Sequence, residues 1–251
     1  GTIKSIAQNK AGIIKRNSKV ITAKQNKIAR EILTKTANLK NSNLIEAKYK
    51  VCGIPKIVAN KMEAKLLVDG VHYDINYKSI GLYHLENIAT AIKTVKEFNQ
   101  NIPINTITEG INRNSWPCRG DFYCIDGKRI LIDGAHNKAG FKNLKKTVST
   151  FFNNKNYTFI YGTNNNHDIN TFIEFIKKIP SKVIITKSNH PKSLPTKEIE
   201  KKLTALGIKF IKSTSTENAL KIAMNSYKKN DLIIVAGSLF VSSEINNILN
   251  K

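Results

Sequence analysis

The sequence predicts an α/β fold, and two observations carry that prediction. From about residue 129 onward, short β-branched runs at 129–133, 157–162, 182–187, 208–212 and 231–236 are each followed by a helical repeat. Strands and helices alternating at this length build a mostly parallel sheet through crossover connections. Upstream the texture differs. Residues 44–80 carry alternating segments such as Lys65-Leu66-Leu67-Val68 and His72-Tyr73-Asp74-Ile75 around the turn pair Asp69-Gly70, which predicts a small antiparallel sheet.

Taken in chain order, Ile28 to Ala37 and Asn87 to Phe98 read as helices. The turn-rich Asn112-Arg113-Asn114-Ser115-Trp116-Pro117 separates the two textures, so a domain boundary is expected between 1–116 and 117–251. Beyond it, Phe141, Leu144, Val148 and Phe151 recur at helical spacing, as do Ile169, Phe172, Ile173 and Ile176. Pro195-Thr196 opens another helix with Pro in its first turn. Thr214 and Glu217 predict a capping box for the helix through Ala219, Ile222 and Ala223.

A chain of 251 residues supports one large or two modest cores. Apolar runs fall short of the roughly 18 residues that a membrane span needs, and the N-terminus lacks a signal-peptide layout. A cytoplasmic protein with no membrane partner is expected. Cys52, Cys118 and Cys124 are too few and too irregular for a disulfide framework or a zinc knuckle and read as reduced thiols. The formal charge of +23 raises nucleic acid as a partner. Its lysines, however, are spread over polar helix faces, as at Lys142, Lys145 and Lys146, with few aromatics between them. That pattern argues against nucleic-acid binding, while the positive field favours anionic substrates.

The segment Ile130-Leu131-Ile132-Asp133-Gly134-Ala135-His136-Asn137 runs an apolar strand into a turn bearing a carboxylate, an imidazole and an amide. In an α/β sheet this is the carboxyl end of a strand, where charged ligands bind. Asp133 and His136 are the first candidates for chemistry. The competing reading makes Asp133 or Asn137 a cap for the next helix.

Four segments then fall in a recognisable order: Lys10-Ala11-Gly12-Ile13-Ile14-Lys15, His84-Leu85-Glu86-Asn87-Ile88-Ala89, Trp116-Pro117-Cys118-Arg119 and Asp133-Gly134-Ala135-His136-Asn137. With Ala236-Gly237-Ser238-Leu239-Phe240, this ordered set resembles the folylpolyglutamate synthase / dihydrofolate synthase family, a branch of the Mur ligase superfamily. The resemblance implies that 1–116 is the end of a central ATPase domain and 117–251 a Rossmann-like C-terminal domain. It also implies an ATP- and Mg²⁺-dependent ligase, a monomer that joins L-glutamate to a folate or to dihydropteroate through an acyl phosphate.

By the same resemblance, Arg119 reaches the ATP phosphates, and a planar guanidinium suits their oxygens. Asp133 contacts ATP through the ribose hydroxyls, and Asn87 contacts adenine. His136 lies near the reacting carboxylate. Lys10 matches a lysine found carbamylated, an anion that helps hold a second Mg²⁺ ion. Each has a plainer reading: Arg119 as a linker residue paired with Asp121, Asn87 as a polar residue early in a helix, His136 as a loop histidine held by a backbone bond, and Lys10 as one more surface lysine.

The sequence also departs from that pattern. It contains no Gly-x-x-x-x-Gly-Lys-Ser/Thr phosphate loop, which predicts a fragment or the product of a shortened gene, inactive alone. Cys118 replaces the usual glycine before Arg119, Lys138 the usual proline, and Asn9 a common glutamate. Asn164-Asn165-Asn166-His167-Asp168 only partly matches an Asp-Lys-Asp loop, and His190-Pro191-Lys192 carries Lys where Arg is usual. Two other readings therefore stand beside the ligase: a catalytically dead remnant, and a Mur-type ligase with another acceptor.

Overall fold

A computed structural model describes residues 2–152, 156–179 and 181–250. The chain forms two compact units. One comprises Gly1–Pro55, Glu63–Asn76 and Tyr83–Arg113; the other comprises Lys56–Met62, Tyr77–Leu82 and Asn114–Lys251.

The first unit begins with α1 (Ile3–Ala11), β1 (Lys19–Thr22), α2 (Lys27–Leu39) and β2 (Asn43–Glu46). β1 and β2 pair in parallel from Lys19↔Asn43 to Thr22↔Glu46, so α2 is their crossover helix. Asn26 starts α2 by accepting the Ala29 N–H at 2.9 Å. Ala11, Ile14 and Ala37 are buried with Val20, Ile32, Leu33 and Leu44 around them. Residues 44–46 were expected in an antiparallel sheet; they lie instead in this parallel pair.

β3 (Tyr49–Val58), β4 (Lys61–Val68) and β5 (Val71–Tyr77) form a three-stranded sheet in that order. Ala59-Asn60 and Asp69-Gly70 join them, all four at positive φ, the backbone that lets a two-residue turn follow strand twist. α3 (Leu82–Phe98) starts five residues before the expected Asn87, and α4 (Ile104–Arg113) follows it. Within this unit Lys93 bridges Asp69 at 2.9 Å and Glu97 at 2.8 Å, and Lys19 reaches Glu97 at 3.0 Å. The two carboxylates raise the Lys93 pKa and together outweigh its burial.

The second unit carries β6 (Arg119–Ile125), β7 (Lys128–Asp133), α5 (Lys138–Phe151), β8 (Tyr157–Tyr161), α6 (Ile169–Ile176), β9 (Ser181–Ile185), α7 (Thr196–Ala205), β10 (Ile211–Lys212), α8 (Thr216–Asn225), β11 (Leu232–Ala236) and α9 (Leu239–Leu249). Its sheet runs β10-β9-β8-β11-β7-β6, parallel throughout except for β6, which pairs antiparallel with β7. The mostly parallel sheet and the small three-stranded sheet are the α/β architecture expected from the strand and helix periods.

Strand parity divides the core. Leu131, Phe159, Val183 and Ile234 pack with Phe141 and Leu144 of α5, Phe172 of α6 and Ile199 of α7. Ile130, Ile132, Ile160, Ile184 and Val235 pack with Ala219 of α8 and Val241 and Ile245 of α9. Successive strand residues point to opposite faces, so nearly unbroken apolar runs mark strands covered on both sides. Fully burying one such Ile or Leu is worth roughly 1.5–3 kcal/mol.

Two helix starts differ from expectation. Ser215, not Thr214, caps α8 and accepts the Asn218 N–H at 3.1 Å, while Glu217 pairs with Lys221 at 2.9 Å. Pro195 is the residue before the first turn of α7 rather than within it.

Candidate functional site

The connections of the second unit locate its ligand crevice. β7 and β8 lead into α5 and α6 on one face of the sheet, whereas β11, seated between them, leads into α9 on the other. Loops leaving neighbouring strands for opposite faces open a crevice at the strands' carboxyl ends. Three loops meet there: 134–137 after β7, 162–168 after β8, and 237–238 after β11.

Short hydrogen bonds lash these loops together. The Gly134 N–H donates to the Cys118 carbonyl at 2.8 Å, and the Gly237 N–H to the Ala135 carbonyl at 2.7 Å. Thr163 Oγ1 donates to the Gly237 carbonyl at 3.1 Å, and Ser238 Oγ to Asn164 Oδ1 at 3.1 Å. Glycine is needed at 237, where φ is 106° and a Cβ would press 2.5 Å from the Gly162 carbonyl oxygen and the Tyr161 ring.

Arg119 and Asp133 are partners across the β6–β7 ladder, and a bulge explains how. The register shifts between Arg119 and Asp121, so that Gly120 is extruded at φ 84° with its Cα against the Ile80 backbone. Ile80 N–H donates to the Gly120 carbonyl at 2.6 Å and fixes the kink. Such bulges re-aim the flanking side chain. Asp133 is buried, 5% exposed, at the last position of β7. It does not start α5: Asn137 does, its Oδ1 accepting the Gly140 N–H at 2.9 Å. The two cap candidates are thereby resolved in favour of Asn137.

Asp121 accepts from the Cys118 N–H at 2.6 Å and from the Ser79 hydroxyl at 3.3 Å. Burial raises its pKa, and those two bonds oppose the rise. Cys118 stands at φ 62°, the left-handed region where the resemblance expects glycine. Burial, with Asp121 nearby, pushes its thiol up to about 12.

His136 Nδ1 lies 2.8 Å from the Gly134 carbonyl oxygen, and its Nε2 lies 3.4 Å from Asn137 Nδ2. A carbonyl only accepts, so Nδ1 carries the hydrogen. The Asn137 amide is oriented by its cap bond and turns its NH₂ towards Nε2, which therefore carries the lone pair. The ring stacks on His167, centroids 4.4 Å apart and 21° between planes. His167 Nδ1 sits 3.2 Å from Thr163 Oγ1 and 3.4 Å from the Gly237 carbonyl. Burial, and then His136, lower the His167 pKa. Beside them His190 stacks on Phe240 at 3.5 Å.

Arg119, Asp133 and His136 thus share one unit, at the edge of the sheet where β7 ends and the antiparallel β6 begins. Lys10 and Asn87 belong to the other unit. Lys10 is exposed at the end of α1, and Asn87 is exposed on α3, one turn after the buried His84. His167 was not singled out as a site residue; its only sequence signal was the imperfect match of Asn164 to Asp168. Among the described residues no cluster of three or more His, Cys, Asp or Glu side chains could hold a metal ion. Nor is any helix long and apolar enough to cross a membrane. Cys52, Cys118 and Cys124 are free thiols.

A doubly wound α/β unit with a crevice beside its central strand is of the class that binds ligands at the carboxyl ends of its strands. Residues 119–239 match the family described as Mur ligase, glutamate ligase domain. The chain is 28% identical over 230 residues to the UDP-N-acetylmuramoyl-L-alanyl-D-glutamate--2,6-diaminopimelate ligase of Buchnera aphidicola, covering 83% of this chain and 42% of that protein. It is 21% identical over 255 residues to the dihydrofolate synthase/folylpolyglutamate synthase of Bacillus subtilis, covering 99% of this chain and 58% of that one. In fold it matches the Mycobacterium tuberculosis folylpolyglutamate synthase complexed with ADP and AMPPCP, with a TM-score of 0.87 at 18% identity over 100% of this chain and 60% of that chain. The chain spans about half the length of the curated relatives it matches.

Proposed function

We propose that the chain is the C-terminal portion of an ATP-dependent, ADP-forming, cytoplasmic and monomeric ligase that adds L-glutamate to a folate or to dihydropteroate. In this reading 1–116 completes a central ATP-binding domain and 117–251 is the glutamate ligase domain. The observation that supports it is the pairing of Arg119 with Asp133 at the end of β7, three residues before His136, inside the segment that matches the glutamate ligase family.

The substrate carboxylate attacks the γ-phosphorus of ATP, giving an acyl phosphate and ADP. The glutamate amine then attacks the acyl carbon, and inorganic phosphate leaves as the amide forms. Arg119 holds phosphate oxygens with its planar fork, which offsets the charge that builds on them. Asp133 accepts from the ribose hydroxyls, and Asn87 pairs with the adenine edge. His136, its Nδ1 tied to Gly134, takes the proton shed by the amine on Nε2.

A buried carboxylate on the ladder position facing an arginine is a donor and acceptor set that suits a nucleotide. Mg²⁺ is different: the described residues form no ligand cluster, so no step here runs through it. Lys10, when carbamylated, would supply it an oxygen ligand. Alone, without a Gly-x-x-x-x-Gly-Lys-Ser/Thr loop, the 251 residues complete no turnover.

The test is ADP release by the protein made from the whole gene, with dihydropteroate, tetrahydrofolate or a UDP-muramyl peptide as acceptor and L-glutamate as donor. Arg119→Ala and Asp133→Asn are expected to lower ligation at least about 100-fold, the loss typical of one removed electrostatic contact in a transition state. Unchanged turnover in both variants would overturn the assignment. A second reading, a Mur-type ligase acting on a peptidoglycan precursor, has its own support in the 28% identity to the Buchnera enzyme. Release of ADP with the muramyl acceptor alone selects it. ADP release with none selects the catalytically dead remnant.

A further inference from the structure

Two imidazoles stacked at the mouth of one crevice call for an explanation that packing does not supply. His136 and His167 come from different loops, one after β7 and one after β8, and both are partly exposed. Apolar side chains would cover the same surface without the repulsion that two protonated rings suffer. At a centroid separation of 4.4 Å two like charges repel appreciably, and less where water reaches the rings.

Each ring is pinned through Nδ1. His136 donates to the Gly134 carbonyl. His167 donates towards Thr163 Oγ1 and the Gly237 carbonyl, and Thr163 Oγ1 spends its own hydrogen on that same carbonyl. Both rings therefore present the Nδ1–H tautomer, with proton exchange confined to Nε2. Among the charged groups on the surrounding elements are Arg119 on β6, Asp133 on β7, Lys138 in the first turn of α5, Asp168 capping α6, His190 and Lys192 in the loop after β9, and Glu244 on α9. Glu244 is occupied by the Asn189 N–H and the Thr216 hydroxyl.

We propose that His167 is a positioning residue for His136: its anchored ring fixes the plane of the His136 imidazole and, staying neutral, leaves His136 as the one ring of the pair that accepts a proton. The role rests on the reading of His136 as the acceptor of the amine proton. A neutral ring stacked on a newly formed imidazolium offers its π face to the charge. A protonated His167 would oppose that proton transfer. Burial and then the neighbouring His136 act to keep His167 neutral and together outweigh the Gly237 carbonyl bond, which acts the other way.

Imidazole NMR of this chain tests the pair without reference to turnover, and far-UV circular dichroism verifies the fold of each variant. His167→Ala is expected to move the His136 ring Cε1–H signal as the shielding ring is lost, and His167→Phe to restore most of that displacement. In His136→Phe the titration midpoint of His167 is expected to rise. A His136 signal indifferent to His167→Ala, or a His167 midpoint indifferent to His136→Phe, overturns the proposal.

In the whole-gene ligase, His167→Ala is expected to lower kcat about 10-fold with little change in KM for glutamate, and His167→Phe to recover it. If the ring couplings hold while kcat stays at the wild-type level, the pair exists but positions nothing, and the proposal falls. If the protein ligates glutamate to no acceptor, the ligase reading fails by itself, while the NMR results still report on the pair.

Discussion

Arg119 and Asp133 face each other across the β6–β7 ladder because Gly120 is extruded between Arg119 and Asp121. Were Gly120 to take a regular place in the ladder it would face Asp133 itself, and the alternation of β6 would turn Arg119 to the other side of the sheet. The opposition of the two residues is thus a property of one glycine. Gly120→Ala puts a Cβ into the Ile80 carbonyl at a φ of 84°, and about 2–4 kcal/mol of stability is expected to go. The urea midpoint measures it; a midpoint within error of wild type would show that the bulge is not fixed.

Gly237→Ala tests the other side of the crevice. The added methyl meets the Gly162 carbonyl and the Tyr161 ring, so the loop after β11 must shift and loosen the Thr163 bond to the Gly237 carbonyl. A loss of at least about 2 kcal/mol is expected, read in the same unfolding experiment. Faster amide exchange at Gly237, whose N–H is bound to Ala135, should accompany it.

Asn137→Ala removes a cap and nothing larger. The Gly140 N–H loses its partner, and about 1 kcal/mol is the expected cost. Asn137→Asp keeps the cap acceptor but removes the NH₂ that faces His136 Nε2, so it should retain stability while perturbing the His136 ring resonances. Equal stability losses in both variants would contradict this division of labour.

Thiol labelling distinguishes the cysteines. Cys118 is buried, and its thiol is pushed up to about 12, so at pH 8 it stays protonated and shielded. Cys124 is exposed and should react first with a disulfide reagent, whereas Cys118 should react only on unfolding. A raised folded-state value gives stability that is whole below the ordinary thiol range and declines as pH climbs above it. Alkaline unfolding should therefore weaken in Cys118→Ala, measured relative to that variant's own stability at pH 7.

His167 carries the opposite sign. Its pKa is depressed in the folded state, chiefly by burial, so its contribution is present above the ordinary histidine range and is lost as pH falls below it. Stability measured from pH 7.5 to 5 is expected to fall less steeply in His167→Gln than in the wild type. Parallel slopes would remove His167 from the account.

The second unit was readable because its signals are local and redundant. β-branched runs mark strands buried on both faces, and Phe141, Leu144 and Val148 declare the inner stripe of α5. β6 went unseen: Gly120 breaks its alternation, and its pairing depends on β7 rather than on its own composition. α4 does carry a signal, Ile104, Ile107 and Ile111 at helical spacing, but it is short and runs straight into the turn-rich residues that follow it. β2 was assigned to the wrong sheet because strand propensity says nothing about the choice of partner. Of the candidate site, Asp133 and His136 are legible as a strand-end turn, and Arg119 is a candidate only through resemblance. The stack of His136 on His167 was invisible, since nothing in a linear chain announces that loops after β7 and β8 will touch.

The bonds that join the loops after β7, β8 and β11 also bear on the thermodynamics of association. Gly134, Ala135, Thr163 and Gly237 lose their freedom when the domain folds, so their entropy is already spent before any ligand arrives. A floor preorganised in this way need not stiffen on binding. Affinity gained by substitutions around it should appear as slower dissociation, with little change in the rate of capture.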